Sequence, residues 1–317
     1  MDPCSAIDGQ HGFNMPARCA VMTASARDRT MADMTGSARE DAMVSQGVEY
    51  ILGNRGMAEH ERLVAQGTLA DPLSRGLLAE AGIARGMRVL DLGCGAGNMA
   101  MVAAELVGPD GSVVGIDRDP DALEHARKFV AQAGIDNIEF REGDARTLDG
   151  VEPGFDAVIG RLILMYLPDP VEALRRSADR VRPGGIICMH EGDMTYEWAS
   201  PAGPLWRQVR TWCLDTLARA DGVDPRLGLS LFRLFRAAGL PEPRLRLETT
   251  VAGGDQAPAW MWAKAVEGLL PVMERLGIAT RDDVDPPTLQ DRLLAEIVDH
   301  DGIVLCPPMF GAWSNVP

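Results

Sequence analysis

Asp91-Leu92-Gly93-Cys94-Gly95-Ala96-Gly97 is the segment whose residue types and spacing could do chemistry. Glycines at alternate positions permit a tight turn and let the backbone approach a ligand where a Cβ would clash. An acid two residues ahead of them sets a carboxylate at the same turn. Asp117 ends the next apolar run, where a carboxylate can hold both hydroxyls of a ribose. Gly143-Asp144-Ala145 follows a third run, and there a side-chain acid and a backbone N–H can read the edge of an adenine. After a fifth run come His190, Glu191 and Asp193, residue types that can serve as a general base.

These residues need elements to hold them, and the chain supplies an alternating series. Arg88–Leu92, Val113–Asp117, Asn137–Arg141, Phe155–Ile159 and Ile186–Met189 read as five short apolar strands. Helical segments separate them. One runs through Asn98–Val107, and one opens at Asp119-Pro120 with apolar positions Leu123, Ala126, Val130 and Ala133. Another opens at Asp169-Pro170 with an acid three residues on, as in a capping box, and its apolar face is Val171, Leu174, Ala178 and Val181. Strands joined by helical crossovers make a parallel, doubly wound sheet, and ligands bind at the C-terminal ends of its strands. Upstream, Glu59–Ala81 reads as helical with a break near Asp71-Pro72, where Asp71 would cap a new helix.

Residues 1–46 have neither helical nor strand period, so a poorly ordered extension is expected there. Residues 47–193 form the nucleotide-binding core. Beyond 193 the composition shifts, and all six tryptophans lie in residues 194–317. Helices at about 204–220, 228–239, 257–276 and 286–299 surround a strand at Arg244–Val251, and a last strand starts at Ile303. Tyr196, Trp198, Trp206, Trp260 and Trp262 are the candidates for an apolar acceptor pocket, with each tryptophan also able to serve as plain core.

Composition narrows the function. Of 317 residues 46% are hydrophobic and 24% charged, ordinary values for a globular protein. A net charge of −15 argues against binding nucleic acid or an anionic membrane surface, both of which require clustered Lys and Arg. No stretch reaches the roughly 18 apolar residues of a spanning helix. The N-terminus has no apolar core of a signal peptide. The six cysteines are scattered without CxxC pairs, as in reduced, cytoplasmic proteins.

The ordered set of glycine turn, Asp117 and Gly143-Asp144-Ala145, with Phe155–Leu167 and Arg182–Gly185, resembles class I S-adenosylmethionine-dependent methyltransferases. Over residues 48–193 it is most similar to the ubiquinone- and menaquinone-biosynthesis-like enzymes that methylate small molecules. The resemblance implies a Rossmann-like, mostly parallel seven-stranded α/β sheet with an antiparallel last strand, and a helical substrate cap from the C-terminal half. It implies that Asp91 and the backbone of Gly93, Cys94, Gly95 and Gly97 line the methionine part of S-adenosylmethionine. Asp117 would take the ribose, Gly143, Asp144 and Ala145 the adenine, with Arg118 and Leu162 flanking the ring. Arg161 would sit beside the methionine end, and Tyr50 would close over the cofactor. Gly160-Arg161-Leu162-Ile163 lacks the Asn/Asp-Pro-Pro-aromatic turn of exocyclic-amine methyltransferases, and no carboxylate stands there for Mg²⁺.

The expectation is therefore metal-independent methyl transfer to a small, largely apolar or aromatic acceptor of secondary metabolism, by a monomer or homodimer. Alignment and exclusion of water would do most of the work, with His190 or Glu191 as a general base where the acceptor must lose a proton. Two alternatives use the same sheet: an NAD(P)-dependent oxidoreductase, disfavoured by the tighter glycine spacing, and a cofactor-binding scaffold without turnover.

Overall fold

The sheet that holds the candidate residues has seven strands in the order β3-β2-β1-β4-β5-β10-β7. The structure is a computed structural model that describes residues 57–220 and 222–317. The extension expected over 1–46, and Tyr50, lie outside the described residues. β1 (Arg88–Leu92), β2 (Ser112–Asp117), β3 (Ile138–Glu142), β4 (Phe155–Arg161) and β5 (Val181–Gly192) run parallel. β10 (Met309–Asn315) lies antiparallel between β5 and β7 (Arg244–Glu248). This is the doubly wound sheet with an antiparallel last strand that the sequence predicts.

The crossover helices form where their caps and apolar spacing dictate. α2 (Asn98–Val107) follows Gly97 and buries Met99, Ala100, Val102, Ala103, Ala104 and Val107. α3 (Pro120–Gln132) starts at Asp119, whose carboxylate accepts from the Asp121 N–H at 3.0 Å. α4 (Pro170–Ala178) starts at Asp169, which accepts from the Glu172 N–H at 2.9 Å. In both helices a proline fills the first turn, where no N–H is needed.

The N-terminal helix corrects one expectation. α1 (Met57–Ala81) runs unbroken through Pro72, so Asp71 caps nothing. Pro72 removes one helical hydrogen bond, and its exposed position leaves the freed carbonyl to water. Packing of the following turn outweighs that cost: Leu77 and Leu78 are fully buried against α2 and the sheet.

The fifth strand also runs longer than Ile186–Met189. It begins at Val181, and Pro183-Gly184-Gly185 forms an exposed irregularity in the ladder before Ala157 pairs with Ile186. Bulges of this kind add residues to one strand only.

The C-terminal half holds two structures. The helix expected at 228–239 is a 3-10 turn (Leu227–Ser230) followed by α6 (Leu231–Ala237), and Leu227, Leu231, Leu234 and Phe235 complete the core on one face of the main sheet. α5 (Pro204–Arg219), α7 (Ala259–Arg275) and α9 (Pro286–Asp299) instead pack on each other around a separate core, with the short α8 (Arg281–Val284) between the last two. The strand expected at Arg244–Val251 divides. Its first part is β7, while β8 (Val251–Gly253) joins β6 (Ala199–Ser200) and β9 (Ile303–Leu305) in a small antiparallel sheet of order β6-β9-β8. The strand starting at Ile303 is thus not the last one. Pro307-Pro308 offers no N–H groups to a ladder, and β10 begins directly after it.

Candidate active site

The glycine turn links β1 to α2 and is hydrogen-bonded to the C-terminal end of β2. Gly93, Gly95 and Gly97 have φ of 60°, 49° and 86°, the left-handed region that side chains avoid. A Cβ on Gly93 would stand 2.4 Å from Ile163 Cδ1, and one on Gly97 2.9 Å from Phe140 Cζ. The Cys94 N–H donates to the Ile116 carbonyl at 2.9 Å, and the Gly95 N–H to Asp117 Oδ2 at 2.9 Å. Asp117 Oδ1 accepts from the Asp119 N–H at 3.0 Å, and its carbonyl accepts from the Gly143 N–H at 2.9 Å. The structure therefore gathers the turn, Asp117 and Gly143 into one bonded unit. Each Asp117 oxygen keeps a lone pair for a hydroxyl.

Cys94 is buried, and burial together with the charges of Asp91 and Asp117 pushes its thiol well up, so it stays neutral filler. Asp144 lies in the same crevice with its carboxylate held by Arg146: Nε donates at 2.8 Å and Nη2 at 2.5 Å. Burial opposes ionisation of Asp144, and the bonds from Arg146 outweigh it, holding the carboxyl below the usual range. Ala145 is buried next to it, and Arg118 is exposed.

Asp91 differs from these acids. It is 1% exposed, and neither carboxylate oxygen makes a full hydrogen bond, the Ala100 N–H of α2 acting on it as a weak donor. Burial pushes its pKa up to about 8, against the pull of Arg161 and with a further push from Asp117. A buried carboxylate without a full partner is costly to keep, which marks it as waiting for a donor or a cation.

At the tips of β4 and β5 stands a second polar group that sequence reasoning missed in part. Arg161 pairs with His190 in the ladder, so both side chains leave the same face, towards α1. Arg161 Nη1 donates to Asp71 Oδ1 at 2.8 Å and to Ser74 Oγ at 3.0 Å. Ser74 Oγ lies 3.1 Å from His190 Nδ1. Ser74 Oγ thus bridges the Arg161 guanidinium and the His190 ring. Asp71 and Ser74 could have been found: they sit three apart on one helix face, a spacing hidden by the cap-like Asp71-Pro72.

This geometry does not suit His190 to base chemistry. Burial, with the charges of Arg161 and Arg246, pulls its pKa down to about 3, and its Nδ1 is engaged by Ser74. Glu191 points to the opposite face of the sheet. Its Oε1 accepts from the Ile163 N–H at 3.0 Å and the Leu164 N–H at 2.9 Å, which fixes the turn after Arg161. Oε2 is buried without a partner, and burial pushes the carboxyl up to about 7. Leu162 sits between these groups at φ 53°, held by its N–H to the His190 carbonyl at 3.0 Å. Strain in a non-glycine residue of this kind is typical of functional sites.

The aromatic residues read as an acceptor pocket are mostly core. Trp198 and Trp206 are 1% exposed and Trp262 is 4% exposed. Trp198 stacks on Trp262 at 3.6 Å, and Tyr196 tilts against Trp262 at 6.3 Å. The indole N–H of Trp198 donates to the Met194 carbonyl and that of Trp206 to the Leu293 carbonyl, while Tyr196 donates to the Leu305 carbonyl. Trp198, Trp206 and Trp262 belong to the core that the three helices enclose, and Tyr196 is half-buried against it. Trp260, on α7, is half-buried.

The comparisons with known proteins follow this geometry. Residues 83–224 match the profile of a family described as a methyltransferase domain. This segment is similar to a methyltransferase domain. The domain matches aklanonic acid methyltransferase DauC of Streptomyces sp. strain C5, 42% identical over 116 residues, 37% of this chain and 53% of the relative. It matches demethylmenaquinone methyltransferase of Listeria monocytogenes at 31% over 128 residues, 40% of this chain and 51% of the relative. The chain thus spans about half the length of these curated relatives. In fold it resembles a Bacillus halodurans chain assigned to the methyltransferases, with a TM-score of 0.51 and 16% identity over 77% of this chain and 98% of that one.

S-adenosylmethionine is the cofactor that a methyltransferase domain of this class takes, and the residues fit it. The buried Asp91 carboxyl would suit a ligand that carries an ammonium and a sulfonium, both positive, and Asp117 retains lone pairs that would suit a ribose. The sheet's other common use, dinucleotide hydride transfer, is not favoured by the family match.

Proposed function

We propose that the chain methylates a small, largely apolar or aromatic molecule of secondary metabolism, using S-adenosylmethionine. The observation that carries the reading is Asp91: a fully buried acid whose two oxygens make no full hydrogen bond, at the end of β1 and the start of the glycine turn. Bound there, the cofactor supplies an electrophilic methyl group on a positively charged sulfur. Asp91 would face its amino-acid end, Asp117 the ribose, and Asp144 with the Ala145 N–H the adenine. Arg118 and Leu162 are proposed to flank the ring, and Arg161 to stand near the methionine end.

The protein's part in the transfer is alignment and exclusion of water, which in-line displacement needs most. Glu191 supports this by fixing the turn behind Arg161, and His190 by anchoring α1 through Ser74. We assign neither the role of base. The transfer is read as metal-independent because Gly160-Arg161-Leu162-Ile163 offers no carboxylate for Mg²⁺ in the turn after β4.

A small acceptor is supported by relatives named for aklanonic acid and demethylmenaquinone. Residues 194–317 are read as a cap over the acceptor side. No described helix is long and apolar enough to cross a membrane, and a cytoplasmic location is part of the proposal.

Calorimetric titration with S-adenosylhomocysteine tests the cofactor reading: saturable binding is expected, and no heat at millimolar ligand would sink it. Mass spectrometry of reactions with quinone and phenol panels tests the acceptor, the expected product gaining one methyl group.

A further inference from the structure

Helix α1 brings to the crevice a carboxylate that the proposed function leaves without a task. Asp71 Oδ1 takes the Arg161 Nη1 bond at 2.8 Å, and Asp71 Oδ2 takes a longer one from Asn98 Nδ2 at 3.4 Å. Room for that contact comes from Gly67, one turn earlier, where a Cβ would stand 2.1 Å from Asn98 Nδ2 and 3.0 Å from Asp71 Oδ2.

The arrangement is informative because of what Arg161 does not do. Its side chain is 12% exposed, so water screens its charge little. Asp91 and Arg161 leave the same face of the sheet, from β1 and the adjacent β4, where Asp91 pairs with Ile159 two residues before Arg161. A guanidinium so placed favours the ionised form of the buried Asp91 carboxyl, and Arg161 does act electrostatically on Asp91. Yet Asp91 makes no hydrogen bond to it. The guanidinium is held instead by Asp71 and Ser74.

We propose that Asp71, helped by Ser74, is a positioning residue that draws Arg161 away from Asp91 and so keeps the Asp91 carboxylate open to the cationic amino-acid end of the cofactor. The device rests on the S-adenosylmethionine reading above. Without Asp71, Arg161 turns to Asp91, and the protein supplies its own cation where the ligand's ammonium belongs.

The test compares two probes by calorimetry: S-adenosylhomocysteine, and 5′-methylthioadenosine, which keeps the adenosine and sulfur but lacks the ammonium and carboxylate. The wild type is expected to bind the first more tightly. Asp71→Asn should weaken S-adenosylhomocysteine about tenfold, in the range of a lost charge-assisted contact, and leave 5′-methylthioadenosine within about twofold. Adding Arg161→Met to Asp71→Asn should recover most of the lost affinity, since the competing cation is gone. Failure of the wild type to bind either probe would defeat the cofactor reading itself. Equal loss of both probes in Asp71→Asn would overturn the proposal in favour of a purely structural Asp71. An unrecovered double variant would overturn it by showing that Arg161 itself holds the ligand.

Discussion

The crevice and the tryptophan-rich cap bury polar groups in opposite ways. In the cap, Trp198, Trp206 and Tyr196 each give their hydrogen to a backbone carbonyl, while the Trp262 indole N–H is buried without an acceptor. Even the start of α5 is served, by Glu296 of α9, which accepts from the Leu205 and Trp206 N–H groups at 3.1 and 3.0 Å. In the crevice, Asp91 is left with two oxygens that make no full hydrogen bond and Glu191 with one, beside glycines and a leucine at positive φ. A buried carboxylate without a full partner costs far more than one neutral indole N–H, and such a cost is tolerated where a ligand repays it. The contrast supports the proposal that the crevice binds ligand and that the aromatic residues chiefly stabilise the cap.

The largest effect that could break this contrast is in the cap. Trp206→Ala removes a fully buried indole and leaves the Leu293 carbonyl without its donor. It is expected to cost about 3–5 kcal/mol in urea unfolding, with S-adenosylhomocysteine affinity nearly unchanged in the folded fraction. A large loss of affinity at little cost in stability would make Trp206 a pocket residue after all.

Asp91→Asn should do the reverse. It is expected to weaken S-adenosylhomocysteine by about 2–3 kcal/mol, and to stabilise the ligand-free protein above neutral pH. The sign follows from proton linkage. With its pKa raised from 3.8 to about 8, Asp91 keeps in the folded state a proton that the unfolded chain has lost, so stability falls as pH rises through that window. Glu191, raised from 4.5 to about 7, adds in the same direction. His190, lowered from 6.5 to about 3, acts only below its unfolded value, where stability falls as pH drops. Thermal melts between pH 6.5 and 8 should therefore show Tm falling in the wild type and much less in Asp91→Asn.

The smallest expected effect sharpens the comparison within the crevice. Gly97→Ala forces a side chain into the left-handed region and a Cβ to 2.9 Å from the Phe140 ring. About 1–3 kcal/mol of stability should be lost by chemical unfolding, with a matching loss of ligand affinity as the turn shifts.

Much of the crevice was legible in the sequence because its signals are local. A glycine turn after an apolar strand, and Asp119-Pro120 or Asp169-Pro170 before an apolar face, each carry their meaning within a few residues. Asp71-Pro72 carries the same local signal, yet Asp71 serves an arginine 90 positions away, and nothing near it reveals that partner. The tryptophans misled for a related reason. Their number and spacing show that they are buried or half-buried, while the choice between core and pocket depends on which helices cross over them. The small sheet was hidden because β6 and β8 are only two and three residues long, too short for any alternation to register.

The ladder between β5 and β10 couples residues about 120 positions apart, with Gly192 opposite Met309 at one end. Chain entropy opposes so distant an encounter until the intervening helices have collapsed and drawn the two strands together. Refolding from denaturant is accordingly expected to close this seam late, with the five parallel strands assembled first and the pairing of Trp313 with Cys188 among the last contacts to form.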